Sequence, residues 1–176
     1  MINSIKSPRF LVLSLMVLAA AATRALPLFI PHIWNFTAVG ALAIFAGAQF
    51  NDKRIALLMP LAAMAISDLF IGNGFDAVVY SGFIAMVVCG MLVNKRQNLP
   101  NLILSGIAGA VVFYLITNFA LFYPVSMYPH NLSGIIASYV AALPFLNNML
   151  AGNLMYGTLL FGSFYLLKQR YPSLAK

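Results

Sequence analysis

Residues 77–123 read AVVYSGFIAMVVCGMLVNKRQNLPNLILSGIAGAVVFYLITNFALFY, and this stretch decides the fold. Two apolar runs, 77–93 and 101–123, flank one polar turn, Asn94-Lys95-Arg96-Gln97-Asn98, which holds the only charges of the stretch. About 20 predominantly apolar residues, with a range of about 17–25, carry a helix across a bilayer. Both runs meet that length. Pro100 suits the first turn of the second helix, where its missing N–H costs nothing. The stretch is a hairpin of two membrane helices.

The same pattern extends in both directions. Further apolar runs lie at 10–26, 38–50, 55–72 and 149–167. The run 38–50 is short and is expected to borrow from 35–37. Asn51-Asp52-Lys53-Arg54 is a second basic turn, Gly72-Asn73-Gly74 breaks the chain before Asp76, and Pro124 is expected to stop the fifth helix. Pro60 lies inside the third run, where a kink or the loss of one hydrogen bond is expected. Of the 176 residues 62% are hydrophobic and 7% charged. A soluble domain carries about 25% charged residues, so lipid must solvate much of this exterior. The reading is an all-α membrane protein: one integral domain over 1–176, a bundle of six transmembrane helices.

Charge sets the topology. With the N-terminus in the cytoplasm, Lys6 and Arg9, Lys53 and Arg54, Lys95 and Arg96, and Lys168, Arg170 and Lys176 all fall inside. That is nine of the ten basic residues. Six spans with both termini cytoplasmic satisfy the positive-inside rule at every loop; five or seven would scatter the clusters. Arg24 falls at the outer end of the first helix. A rival reading takes Lys6, Arg9, the following apolar stretch and Ala19–Ala22 as a cleaved signal peptide, but the charge count already works with an uncleaved span. The charge pattern implies a multi-pass protein of a cytoplasmic membrane.

The net charge of +7 sits in these topogenic clusters and forms no basic stripe with interleaved aromatics, so nucleic-acid binding is rejected. The lone Cys89 excludes an intrachain disulfide and reads as a small buried hydrophobe. The segment 124–148 has no Lys or Arg, and its apolar part, 134–143, is too short to span. It is expected to hold a short interfacial or re-entrant helix on the outer face, serving as a lid or binding loop. No internal repeat points to an inverted-repeat transporter.

The outer face gathers the polar residues: Arg24, His32, Trp34, Asn35, Thr37, Asp68, Asn73, Asp76, Tyr80, Asn118, Tyr123, Tyr128 and His130. Tyr and Trp at an interface often serve only as belt anchors. Asp68 is different, because a carboxylate inside an apolar run faces a cavity or a partner. Arg24 lies at similar depth. The two make either a structural ion pair or a ligand contact, and both readings can hold together. Asn118 is either glue between helices or a pocket wall. His32 and His130 lie in different loops without acid or cysteine at ligand spacing, so no metal is expected. There is no nucleophile elbow, no HExxH, no paired carboxylate and no Walker A loop. An enzyme relying on Asp68 or His130 therefore ranks last, no cofactor is expected, and energy for pumping must come from another chain. Small residues four apart, Ala43 and Gly47, and Gly106 and Ala110, allow close helix approach, either within the bundle or against a partner.

Several strings match a known pattern: Arg24-Ala25-Leu26-Pro27, the run Asn35-Phe36-Thr37-Ala38-Val39-Gly40-Ala41-Leu42-Ala43, Phe45-Ala46-Gly47-Ala48, Leu58-Met59-Pro60-Leu61 with Ser67-Asp68, Thr117-Asn118-Phe119, Met127-Tyr128-Pro129, and Tyr139-Val140-Ala141-Ala142-Leu143-Pro144-Phe145. Over residues 22–165 the chain resembles an uncharacterised family of small bacterial membrane proteins, usually described as transport proteins of unknown function. More distantly it resembles the S components of energy-coupling factor transporters. That resemblance implies a six-helix module that captures a vitamin or related micronutrient under an outer lid. It further implies association with a transmembrane coupling subunit and two cytoplasmic ATPases. In S components small residues four apart on the first helix help contact the coupling subunit. Here Ala21 and Ala25 have the spacing but lie toward the outer end, a departure from that pattern.

The expected function is therefore capture of a small molecule for uptake, in contact with membrane lipid. The expected ligand-binding residues are Arg24, Trp34, Asn35, Thr37, Asp68, Asn118, Tyr128, Tyr139 and Asn148. The competing reading is a membrane scaffold or assembly subunit whose polar outer face docks a protein.

Overall fold

A computed structural model describes residues 7–24, 36–72 and 74–174 of the chain. Among the described residues six α-helices follow in order: α1 (Pro8–Ala22), α2 (Val39–Gln49), α3 (Lys53–Ile71), α4 (Ala77–Leu92), α5 (Leu99–Thr117) and α6 (Leu132–Arg170). The described residues contain no strand.

The sequence of α2, VGALAIFAGAQ, is apolar around its whole circumference, and all of its 11 residues are buried. A helix apolar all round must sit inside something, and α2 packs against every other helix. Its tightest partner is α4. Gly47 meets the Val87 carbonyl, and Gly90 meets the Ile44 carbonyl, so the two backbones touch without side chains between them. Phe45 fills the next layer, edge-on to Phe161 and Phe164 of α6 at 5.1 and 5.8 Å. The outer helices carry their apolar side chains outward as well: Leu69 and Phe70 are each 82% exposed. Such an exterior suits lipid, not water.

Helix starts are chemically marked. Ser7, Asp52, Asp76, Asn98 and Asn131 cap α1, α3, α4, α5 and α6, each accepting a backbone N–H with its side chain. Gly72, in the left-handed region at φ 81°, ends α3. Caps thus absorb two of the three acidic residues, leaving Asp68 as the acid inside a helix.

Hydrogen bonds join the basic turns at one end of the bundle. Arg9 donates to the carbonyls of Leu174 at 2.8 Å and Gln49 at 2.9 Å. Gln49 donates to Gln97 at 2.7 Å, and Asn94 and Gln97 both donate to the Ala48 carbonyl. The six helices therefore alternate in direction, with Arg9, Lys53, Arg54, Lys95, Arg96 and Lys168 at a common end. Arg9 and Lys168 also lie over the Phe164 ring, at 5.4 and 5.1 Å from its centre. Arg9→Gln removes a charged donor from two carbonyls. We expect it to lower stability by about 1.5–3 kcal/mol and to open the segment 172–174 to carboxypeptidase, read by thermal unfolding in detergent and by mass of the trimmed chain.

Three helices, α3, α5 and α6, are long and apolar enough to cross a membrane; α1, α2 and α4 have 15, 11 and 16 residues. At about 1.5 Å per residue α2 extends roughly 17 Å, half of a hydrocarbon core. It is a core helix enclosed by the others, and Phe36–Ala38 do not extend it. α3 runs unbroken through Pro60.

Two expectations are corrected. The fifth helix ends at Thr117, not near Pro124, because side chains take its last carbonyls: Asn118 donates to Tyr114 O at 2.9 Å, and Tyr123 donates to Thr117 O at 2.9 Å. The short separate helix expected within 124–148 is the first part of α6, which runs 39 residues through Pro144. An interior proline costs about 3 kcal/mol and favours a kink. Gly134, Ser138 and Ala142, spaced by four, are the buried residues of this first part, and Gly134 lies against the backbone of Pro129. Tyr114 and Tyr139 clasp it further: Tyr114 donates to Tyr139 O at 2.7 Å, and Tyr139 donates to Leu115 O at 2.9 Å. The packing of that face carries the helix across the proline.

Candidate functional site

At the end opposite the basic turns, Arg24 follows α1 and faces the last turns of α3. Its guanidinium meets Asp68 at 2.6 Å and donates to Ser67 Oγ at 2.7 Å and Met64 O at 3.3 Å. The second carboxylate oxygen of Asp68 accepts from Tyr80 of α4 at 2.7 Å. Both Asp68 oxygens are thereby occupied, and the group pins α1, α3 and α4 together. Asp68 is buried, at 6% exposure. A buried pair of this kind stands because each charge has further hydrogen bonds beside its partner.

The other expected residues have separate partners. Asn118 binds its own helix, at Tyr114 O and Thr117 Oγ1, and acts as a C-cap. Tyr128 packs edge-on to Tyr123, with ring centres 5.5 Å apart. Burial, with Tyr128 and the Asp76 carboxylate close by, raises the Tyr123 phenol above its ordinary range. His130 Nε2–H donates to the Tyr123 carbonyl at 2.9 Å. Tyr139 is engaged with Tyr114, ring centres 5.4 Å apart. Thr37 lies with its backbone against Gly152 of α6. Asn148 is half-buried on α6. Trp34 and Asn35, and His32 with them, lie outside the described residues. The structure brings Arg24 and Asp68 together, adds Ser67 and Tyr80 to them, and distributes Asn118, Tyr128 and Tyr139 over cap, loop and clasp.

A cavity of about 390 Å³ opens elsewhere, between α2, α5 and α6. Ala41 and Ile44 form its floor. Its walls run from Leu99 to Ile107 on α5 and from Leu150 to Phe161 on α6. None of the expected ligand residues lines it. Glycines make the space: a Cβ added at Gly106 or Gly157 would meet nothing within 4 Å. The polar groups on the lining are satisfied or withdrawn. Thr158 donates to Leu154 O at 2.7 Å. Asn153 donates to Gly106 O at 3.1 Å, while its Oδ1 lies buried against the bare Cα of Gly40 without a hydrogen-bond partner. An apolar, uncharged space of this size falls in the range of small-ligand sites.

Sequence reasoning missed this cavity. One signal was legible: Asn153 is the single amide in the run 149–167, and a polar group at that depth marks a packing contact or a site. The open space beside Gly106 and Gly157 had no such signal, since glycines in membrane helices usually serve close packing. Tyr80 as second partner of Asp68 was also unread, because it stands on another helix.

A family model described as a family of unknown function, DUF6580, matches residues 4–174. No curated protein and no solved structure matches the chain.

Proposed function

We propose a function from the premise that the chain belongs to the DUF6580 family of unknown function: it is a multi-pass membrane subunit that holds a small molecule within its helix bundle for uptake. The observation that carries this reading is the cavity between α2, α5 and α6. Its volume falls within the range of about 300–1,000 Å³ usual for small-ligand sites, and two glycines leave open space that packing does not use. The basic end faces the cytoplasm, in line with the positive-inside rule. The Arg24–Asp68–Tyr80 group serves as a latch at the outer end, and the Asn118–His130 connection with the first part of α6 covers the neighbouring face. Because the sequence holds no nucleotide-binding loop, energy comes from a coupling subunit and ATPases or from the ligand gradient.

A scaffold role has one observation in its favour: at the Asp68 end the polar groups are already satisfied by one another. Native mass spectrometry of the chain, purified gently from its own membrane, separates the two. Capture predicts an adduct of one defined mass, lost when Gly106→Leu and Gly157→Leu fill the cavity. A stoichiometric protein partner, with no adduct, would overturn capture in favour of the scaffold.

A further inference from the structure

The position of the cavity says more about the ligand than its volume does. It lies in the half of the bundle that carries the basic turns, since its wall on α5 begins at Leu99, the first residue of that helix. Its rim on α5 and α6 is apolar and open to the outside. Leu99 is 71% exposed and Leu154 62%, both on helices with membrane-crossing length. A water-soluble ligand would have to cross that lipid-facing rim to arrive. An apolar chain already in the bilayer meets no barrier there.

Charge adds a second constraint. The turn before α5 holds Lys95 and Arg96, both exposed. Asn101, in the first turn of α5, donates to the Arg96 carbonyl at 3.0 Å and ties this turn to the helix that forms the cavity wall. The described residues contain a single ion pair, Arg24–Asp68, at the opposite end. The three acids of the chain are Asp52, Asp68 and Asp76, so no acid adjoins Lys95 and Arg96 in sequence. The apolar slot thus has a wall that begins at Leu99, directly after the turn that carries Lys95 and Arg96.

We propose that the α2/α5/α6 cavity takes the apolar body of an acidic amphiphile, which enters sideways from the bilayer between α5 and α6 while its anionic head group rests on Lys95 and Arg96. This rests on the capture reading and names its substrate class. A chain arriving from the bilayer exchanges one apolar medium for another, so the slot selects by close van der Waals fit and the turn selects for the acid by charge. Gly106 and Gly157 keep the slot open. Asn153, its amide turned to Gly106 O, holds the two walls at a fixed spacing.

The test uses the full chain in nanodiscs of phosphatidylcholine and a pyrene-labelled fatty acid as probe. Saturable binding is expected. Gly106→Leu with Gly157→Leu should weaken it at least tenfold, and Lys95→Gln with Arg96→Gln should weaken it severalfold while leaving the binding of the probe's methyl ester unchanged. Gly162→Leu, on α6 outside the cavity and with nothing within 4 Å of an added Cβ, controls for folding by retaining binding and a monodisperse elution profile. Repeating the titration in phosphatidylglycerol discs separates two sources of the same chemistry: competition identifies an anionic membrane lipid, and its absence identifies a free amphiphile. Equal probe binding by the cavity-filled variant, or no saturable binding by the wild type, overturns the proposal. If native mass spectrometry then finds a polar adduct that the filled variant keeps, capture stands and the acidic-amphiphile assignment falls. If neither method finds a ligand, both fall.

Discussion

Asp68→Ala is expected to destabilise the protein by about 3–5 kcal/mol, the largest effect of any single polar substitution here. The carboxylate accepts from Arg24 and from Tyr80, and Arg24 has no other acid within reach among the described residues. Removing it leaves a guanidinium half-buried with two neutral acceptors, Ser67 Oγ and Met64 O, and leaves the Tyr80 hydroxyl without its acceptor. Most of the loss is the cost of the stranded charge, not the intrinsic strength of the pair. The double variant Arg24→Met with Asp68→Leu should therefore recover most of the stability that Asp68→Ala loses. Thermal unfolding in detergent, run as a double-mutant cycle, measures this coupling. A large coupling with ligand adduct unchanged in the rescued protein supports the latch. Unchanged stability together with a lost adduct would return Asp68 to the role of ligand contact.

The second large effect lies at the crossing of α2 and α4. Gly90→Val and Gly47→Leu are each expected to abolish the folded bundle, with a loss beyond the about 1–3 kcal/mol of ordinary overpacking. In each case the new Cβ overlaps a backbone carbonyl, Ile44 O or Val87 O, with further backbone atoms of the same turn close behind. Backbone cannot rotate aside as a side-chain end can, so the helices must separate. Since α2 contacts all other helices, separation there disturbs the whole core. The same substitution at Gly157 or Gly162, where a Cβ meets nothing within 4 Å, should be tolerated. Yield of monodisperse protein after detergent extraction distinguishes the positions. Equal yields from Gly90→Val and Gly162→Val would show that the α2–α4 contact does not hold the fold.

The amino-acid sequence by itself determined the helical class and most of the helix starts among the described residues. These are local matters: apolar runs of helical length and the polar turns between them. The Arg24–Asp68 contact was also legible, because two opposite charges at one depth in an apolar medium have little choice but to meet. Three things required the tertiary structure. Continuity of α6 through Pro144 depends on the burial of Ser138 and Ala142 and on the Tyr114–Tyr139 clasp, which outweigh a local helix-breaking preference. The end of α5 depends on which carbonyls Asn118 and Tyr123 reach. The cavity depends on three helices at once: whether a glycine brings helices together, as Gly47 and Gly90 do, or leaves a space, as Gly106 and Gly157 do, is decided by what stands opposite it. A sequence read one helix at a time does not contain that opposite face.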